Sequence, residues 1–234
     1  MTYIISELCG QWGGSTRRAE QMILQSKLAG ADAVKVQLYD TYRMSGDNRQ
    51  RWEYLSMVKD DFFRLKEYSD KLNIDFFASV FHDDRIDWLK EADLKVNKVA
   101  SSLLFEQKEL ADKMIDDKHF SKNYISLGKW TENHLPYDHD NGRNIFMHCV
   151  SVYPHDYDFA LVRMPHRFAE DGIHGYSDHT IGIEACKEAV RRGAKYIEKH
   201  YTIDKELQSP TEAAHICSMD FKELEELRNF CEKQ

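Results

Sequence analysis

The chain has 234 residues, 42% hydrophobic, 12% aromatic and 31% charged, which suffices for one sizeable core and leaves two ordinary domains cramped. Its formal net charge of -8 and isoelectric point near 5.8 exclude the clustered lysine and arginine of a nucleic-acid footprint. Five scattered cysteines (Cys9, Cys149, Cys186, Cys217, Cys231), never spaced as C-x-x-C, exclude a zinc ribbon or disulfide framework and point to a reducing cytoplasm.

From the start of the chain, Met1 to Glu7 meets an acid too soon for a secretory leader, and no apolar run reaches the roughly 18 residues of a membrane span. Short apolar runs ending in polar residues then recur: Tyr3–Glu7, Ala33–Gln37, Asp75–Ser79, Val96–Ser101, Tyr124–Ser126, Ile145–Cys149, Ile173–Ser177 and Tyr196–His200. Helical patterns lie between most of them: Arg17–Leu28, Asp60–Leu72, Asp84–Glu91, Glu109–Asp116, Phe159–Ala169 and Ile183–Arg192, with Phe221–Cys231 closing the chain. Such alternation implies a parallel sheet, and eight strands imply a compact (β/α)8 barrel occupying residues 1–234 as one domain. Between Lys129 and Arg143, His, Pro, Asp, Asn and Gly dominate, so the fifth crossover reads as a loop rather than a helix.

The segments Ala29-Gly30-Ala31-Asp32-Ala33-Val34-Lys35-Val36-Gln37 and Arg192-Gly193-Ala194-Lys195-Tyr196-Ile197-Glu198-Lys199-His200 echo each other as helix end, glycine cap and strand. Their alignment sends Lys35, Gln37, Glu198 and His200 to one face and leaves Val34, Val36 and Ile197 to pack against helices. A wider polar set gathers at the strand ends: Glu7, Lys35, Gln37, Ser79, Lys98, Ser101, Ser126, His148, Ser177, Asp178, His179, Glu198 and His200. Parallel strands buried on both faces are normally apolar, so this set points to a site rather than to solvation.

Two lysines with several hydroxyls suit a small, highly anionic substrate such as a phosphate-bearing carboxylate. His179 and His200 end adjacent strands, one βαβ unit apart, and suit a Lewis-acid divalent metal such as manganese. Each residue also has a plainer reading: His179 as a helix cap, Lys98 as a snorkelling surface lysine, Lys35 as the structural partner of Glu7. Gly10 with Gly13-Gly14 lacks the Lys-Ser/Thr of a phosphate loop, and Trp52, Tyr54, Phe62 and Phe63 read as packing rather than base stacking.

With these motifs together, the chain resembles the sialic acid (N-acetylneuraminate) synthase family, in its barrel domain. The resemblance rests on Glu7, Val34-Lys35-Val36-Gln37, Phe77-Ala78-Ser79-Val80-Phe81, Asn97-Lys98-Val99-Ala100-Ser101, His148-Cys149-Val150-Ser151-Val152-Tyr153-Pro154, Gly175 to Thr180 and Glu198-Lys199-His200-Tyr201-Thr202. It implies a TIM barrel that condenses phosphoenolpyruvate with an N-acylated aminosugar to give a nonulosonic, sialic-acid-like sugar and phosphate. It further implies that His179 and His200 bind a divalent metal, usually manganese, and that Lys35, Ser79, Lys98, Ser101, Ser126 and Ser177 hold phosphoenolpyruvate. Glu7, Gln37, Tyr153 and Glu198 then fall near the sugar, with Glu7, Lys35 and Glu198 as the candidate catalytic groups. Neither nucleic acid nor membrane is an expected partner, and the family implies a homodimer.

Departures stand beside the resemblance. Gln11-Trp12 replaces an Asn-His pair after the first strand, Leu103 replaces an acid, and Ser209-Pro210-Thr211 replaces Gly-Pro-Asp, with Glu212 one residue further on. The antifreeze-like C-terminal domain of many such synthases is also missing from the 234 residues. The alternative functions are therefore a catalytically silent relative that binds metal or sugar phosphate, and a metal-dependent lyase or epimerase using Glu198 as base.

Overall fold

A computed structural model describes residues 1–40, 53–138, 142–206 and 214–234. Eight parallel strands close into a barrel in sequence order: β1 (Tyr3–Glu7), β2 (Ala33–Leu38), β3 (Asp75–Val80), β4 (Val96–Val99), β5 (Lys122–Ser126), β6 (Asn144–Cys149), β7 (Ile173–Asp178) and β8 (Tyr196–His200). The helices are α1 (Thr16–Leu28), α2 (Lys59–Lys71), α3 (Asp84–Glu91), α4 (Ser101–Glu106), α5 (Lys108–Asp116), α6 (Tyr157–Arg163), α7 (Glu184–Arg191), α8 (Ala214–Cys217) and α9 (Phe221–Glu232). All eight strands fall where the alternation of apolar runs places them.

The differences from expectation have local causes. The fourth strand stops at Val99, and Ser101, expected as its last residue, opens α4. The expected helix Phe159–Ala169 instead spans Tyr157–Arg163. Pro165 ends it, since the residue before a proline is pushed out of the helical region and Met164 is extended at ψ 136. Gly30 (φ 93) and Gly193 (φ 94) both take the left-handed conformation that turns α1 and α7 toward their strands. A capping box of Asp220 and Glu223 starts α9.

Strand alternation divides the core in two. Ile5, Ala33, Phe77, Tyr124, Ile145 and Met147 fill the barrel interior, while Val34, Val36, Phe146, Tyr176 and Ile197 face outward into the helical layer. The fifth crossover contains no helix among its described residues. Asn97, Asn123 and Asn144, paired in register across β4, β5 and β6, form a buried amide ladder with two 2.7 Å hydrogen bonds. The fifth crossover borders a cleft of ≈ 1190 Å³ lined by Trp130, His134, Tyr137, His148 and Phe159 among others.

Two residues grouped with the inward polar set face the other way. His148 shares the outward face of Phe146 and stacks on Tyr176 with centroids 5.9 Å apart. Asp178 accepts a hydrogen bond from the outward Tyr176 hydroxyl at 2.8 Å. The run His148-Cys149 places the cysteine, not the histidine, on the interior face set by Ile145 and Met147.

Candidate active site

One period above the apolar interior layer, the inward positions turn polar: Glu7, Lys35, Ser79, Lys98, Ser126, Ser177 and Glu198 occupy the C-terminal ends of seven strands and all are buried. In barrels of this kind the C-terminal ends of the strands carry the reactive groups. Register brings the partners together, since Glu7 pairs Lys35, Ser79 pairs Lys98 and Ser177 pairs Glu198. Lys35 Nζ makes an ion pair with Glu7, donates to Ser79 Oγ at 2.9 Å and lies 3.9 Å from Glu198 Oε2. Lys98 Nζ donates to Ser126 Oγ at 2.8 Å and to Glu198 Oε1 at 3.0 Å, and Ser177 Oγ donates to the same oxygen at 2.8 Å.

The charge balance of this tier is set by its dryness. Burial pulls the Lys35 ammonium down to about 7 against the pull of Glu198. Burial would raise the Glu198 carboxyl, but Lys35 and Lys98 outweigh it and bring it to about 2. Glu198 is therefore an anion at neutral pH, and the two lysines face two carboxylates.

His179 and His200 stand at the mouth with ring centroids 5.5 Å apart, and Tyr153 packs on both, at 3.9 Å and 5.9 Å. His179 Nδ1 lies 2.7 Å from the Val150 carbonyl. A carbonyl only accepts, so Nδ1 carries the proton and Nε2 keeps its lone pair. The Nδ1 atom of His200 is buried with no hydrogen-bond partner. Burial lowers His179 to about 4 and His200 well below its ordinary value, so both rings are neutral. Two neutral imidazoles, one oriented through its far nitrogen and one with an unsatisfied buried nitrogen, fit a divalent metal. Among the described residues no group of three or more His, Cys, Asp or Glu is arranged around one ion, so water or substrate would complete such a site.

Behind the histidines, Lys199 and Asp178 form a fully buried pair at 2.5 Å. Lys199 also donates to the Thr180 carbonyl at 2.8 Å, and Asp178 accepts from Thr180 N, Thr180 Oγ1 and Tyr176. This pair ties the end of β7 to β8, directly beside His179 and His200. It escapes a search for inward polar residues because it faces outward, although the consecutive Asp178-His179 and Lys199-His200 dipeptides carry it.

Of the other expected site residues, Ser101 Oγ is 2.7 Å from Ser151 Oγ, and Ser151 in turn meets the inward Cys149 thiol that also contacts Ser177. Gln37 is half-buried beside Ser79 in register. Ser151 follows the sixth strand where no periodicity marks it. Gly128 lets it approach, since a Cβ there would meet Ser151 Oγ at 2.4 Å. Gln11 and Trp12 lie buried in a short 3-10 turn, Cys9–Trp12, and neither amide atom of Gln11 has a hydrogen-bond partner. Leu103 is part of the hydrophobic core. Trp52, Ser209-Pro210-Thr211 and Glu212 lie outside the described residues.

A parallel eight-stranded barrel with buried lysines, carboxylates and hydroxyls at its C-terminal mouth is an enzyme scaffold whose site suits a small anion. The chain belongs to the NeuB family, whose model matches residues 22–233. An uncharacterised protein of Methanocaldococcus jannaschii is 30% identical over 232 residues, 95% of this chain and 68% of that one. The N,N'-diacetyllegionaminic acid synthase of Legionella pneumophila is 27% identical over 256 residues, covering 96% and 70%. The crystal structure of N-acetylneuraminic acid (sialic acid) synthetase from Leptospira borgpetersenii, in complex with citrate, superimposes with a TM-score of 0.82 at 28% identity, covering 99% of this chain and 83% of that one.

Proposed function

We propose that this protein is a phosphoenolpyruvate-dependent, metal-assisted synthase that condenses the three-carbon acid with an N-acylated aminosugar to give a nonulosonic acid and phosphate. The observation that carries the proposal is the tier of two buried lysines and three hydroxyls beside two neutral imidazoles. Named synthases of the family, for legionaminic and N-acetylneuraminic acids, support the same class of product.

In this reading Lys35 and Lys98, with Ser79, Ser126 and Ser177, hold the phosphate and carboxylate of phosphoenolpyruvate through charge-assisted hydrogen bonds. His179 and His200 would hold a divalent metal, which when bound would supply Lewis acidity toward the aldehyde oxygen of the open-chain sugar. The electron pair of the enol double bond forms the new bond from C3 to the aldehyde carbon, and water adds at C2. One water proton passes through a carboxylate, with Glu7 and Glu198 the buried candidates, to the aldehyde oxygen, which keeps the electron pair of its carbonyl bond and becomes a hydroxyl; the remaining C2 hydroxyl then forms the C2 ketone as the C2–O bond breaks, and its proton leaves with phosphate. Tyr153 walls the histidine pair on the solvent side.

Incubation with manganese, phosphoenolpyruvate and a panel of N-acylated aminosugars is expected to release phosphate only when both organic substrates are present. Phosphoenolpyruvate binding with no release across the panel would instead mark a binding module, a reading that the apolar, core-packed Leu103 favours.

A further inference from the structure

Both ammonium groups of the lysine tier are already engaged, and the Lys98 and Ser177 donors meet on one acceptor. Glu198 Oε1 takes both the Lys98 ammonium, at 3.0 Å, and the Ser177 hydroxyl, at 2.8 Å, while Oε2 faces Lys35 at 3.9 Å and has no hydrogen bond of its own. A second carboxylate, Glu7, is paired with Lys35 and bonded to the Cys9 amide at 2.7 Å. Two carboxylates thus already occupy both lysines in a buried tier. An incoming phosphoenolpyruvate brings a carboxylate and about two further negative charges on its phosphate. Such charge is costly to add to a buried tier whose lysines are already paired unless a resident anion gives way.

Glu7 and Glu198 differ in how firmly they are held. Glu7 is fixed within its own strand end by the Cys9 amide, whereas the hydrogen bonds of Glu198 run to Lys98 and Ser177, groups that the proposed function assigns to substrate. We infer that Glu198 occupies the anion position between Lys98, Lys35 and Ser177 and is displaced when the phosphorylated acid binds, so that it sets the affinity and selectivity of the site for anions. This inference rests on the function proposed above. Displacement leaves the Glu198 carboxylate free beside the bound substrate, and the site accepts only anions strong enough to take both lysines from it. A monocarboxylate such as pyruvate, offering one charge, competes poorly with a carboxylate that is already in place and pays no association entropy.

Titration calorimetry of metal-free protein with phosphoenolpyruvate reads this directly. The Glu198→Gln variant keeps the shape and one acceptor oxygen but loses the charge, so it is expected to bind at least tenfold more tightly than the wild type. Glu198→Asp keeps the charge and is expected to show no such gain. A merely structural role for Glu198 would weaken binding in the glutamine variant, a change of opposite sign. Equal or weaker binding by Glu198→Gln, with clear binding by the wild type, overturns the inference and leaves the proposed function standing. No binding by either protein, with or without manganese, overturns both. A crystal structure of the wild type with phosphoenolpyruvate gives a readout without any variant. Substrate oxygens on Lys98 and Ser177, with Glu198 moved away, are expected; Glu198 still bonded to both overturns the inference.

Discussion

Lys98 lies inside the barrel, 2% exposed, with its ammonium on Ser126 and Glu198. That placement removes the snorkelling surface reading and makes its charge available only to what enters the mouth. Replacing it by alanine is expected to weaken phosphoenolpyruvate binding by about 1.5–3 kcal/mol, roughly 10- to 100-fold, the worth of a hydrogen bond to a charged group. Calorimetric affinity unchanged from the wild type would refute the assignment. His200→Ala is expected to abolish manganese binding, read by calorimetry, with little change in unfolding temperature, because a strand-end residue at the mouth adds little to the core. Manganese affinity equal to the wild type would remove His200 from the proposed metal site.

At the scale of elements, the buried pair Asp178–Lys199 holds β7 to β8 next to both histidines. Removing one partner strands the other charge, so Asp178→Asn or Lys199→Met alone is expected to cost about 3–5 kcal/mol. The double variant is expected to cost clearly less than the sum, since it leaves no lone charge behind. Denaturant unfolding of the three variants measures this coupling, and simple additivity would contradict it. The asparagine ladder is the counterpart on the far side of the barrel. Asn123→Leu leaves donor and acceptor groups of Asn97 and Asn144 unpaired, and about 1–3 kcal/mol is expected for each group stranded. Unfolding midpoints equal to the wild type would mean that the ladder contributes nothing to the stability of β4, β5 and β6.

These elements also mark what was legible in the sequence. The eight strands were readable because each is a short apolar run with a polar end, and the glycine echo correctly aligned Lys35 with Glu198. The absence of a helix among the described residues of the fifth crossover was equally readable from the composition of Lys129 to Arg143. The facing of His148 and Asp178 was not, because each neighbours an inward residue and a one-residue offset reverses a side chain. Ser101 as a helix start, and Ser151 as its partner, depend on loop geometry that no periodicity encodes.

For the whole molecule, the described residues form one closed barrel whose interior is apolar below and ionic above. No described helix is long and apolar enough to cross a membrane. One buried and one half-buried imidazole, His179 and His148, give the fold a definite response to acid. His148 and His179 are lowered to about 4 by burial, so between about pH 6.5 and 4 the unfolded chain binds protons that the folded chain excludes. Stability therefore falls as pH falls through that window. Glu198, held at about 2, and Asp178, held low against its burial by Lys199, carry the loss to still lower pH. Denaturant midpoints across the window are expected to decline, and His148→Leu, which removes one such group away from the lysine tier, is expected to flatten the decline. A pH-independent midpoint would contradict the assignment of these rings as neutral groups.

The whole account turns on carbon–carbon bond formation at this mouth. Phosphoenolpyruvate isotopically labelled at C3, incubated with manganese, an N-acylated aminosugar and the protein, gives the most direct measurement when the products are followed by carbon NMR. The label is expected to appear in the methylene carbon of a nonulosonic acid, and Lys98→Ala is expected to suppress it. Label found only in unreacted phosphoenolpyruvate or in pyruvate, across a panel of aminosugars, would contradict the account.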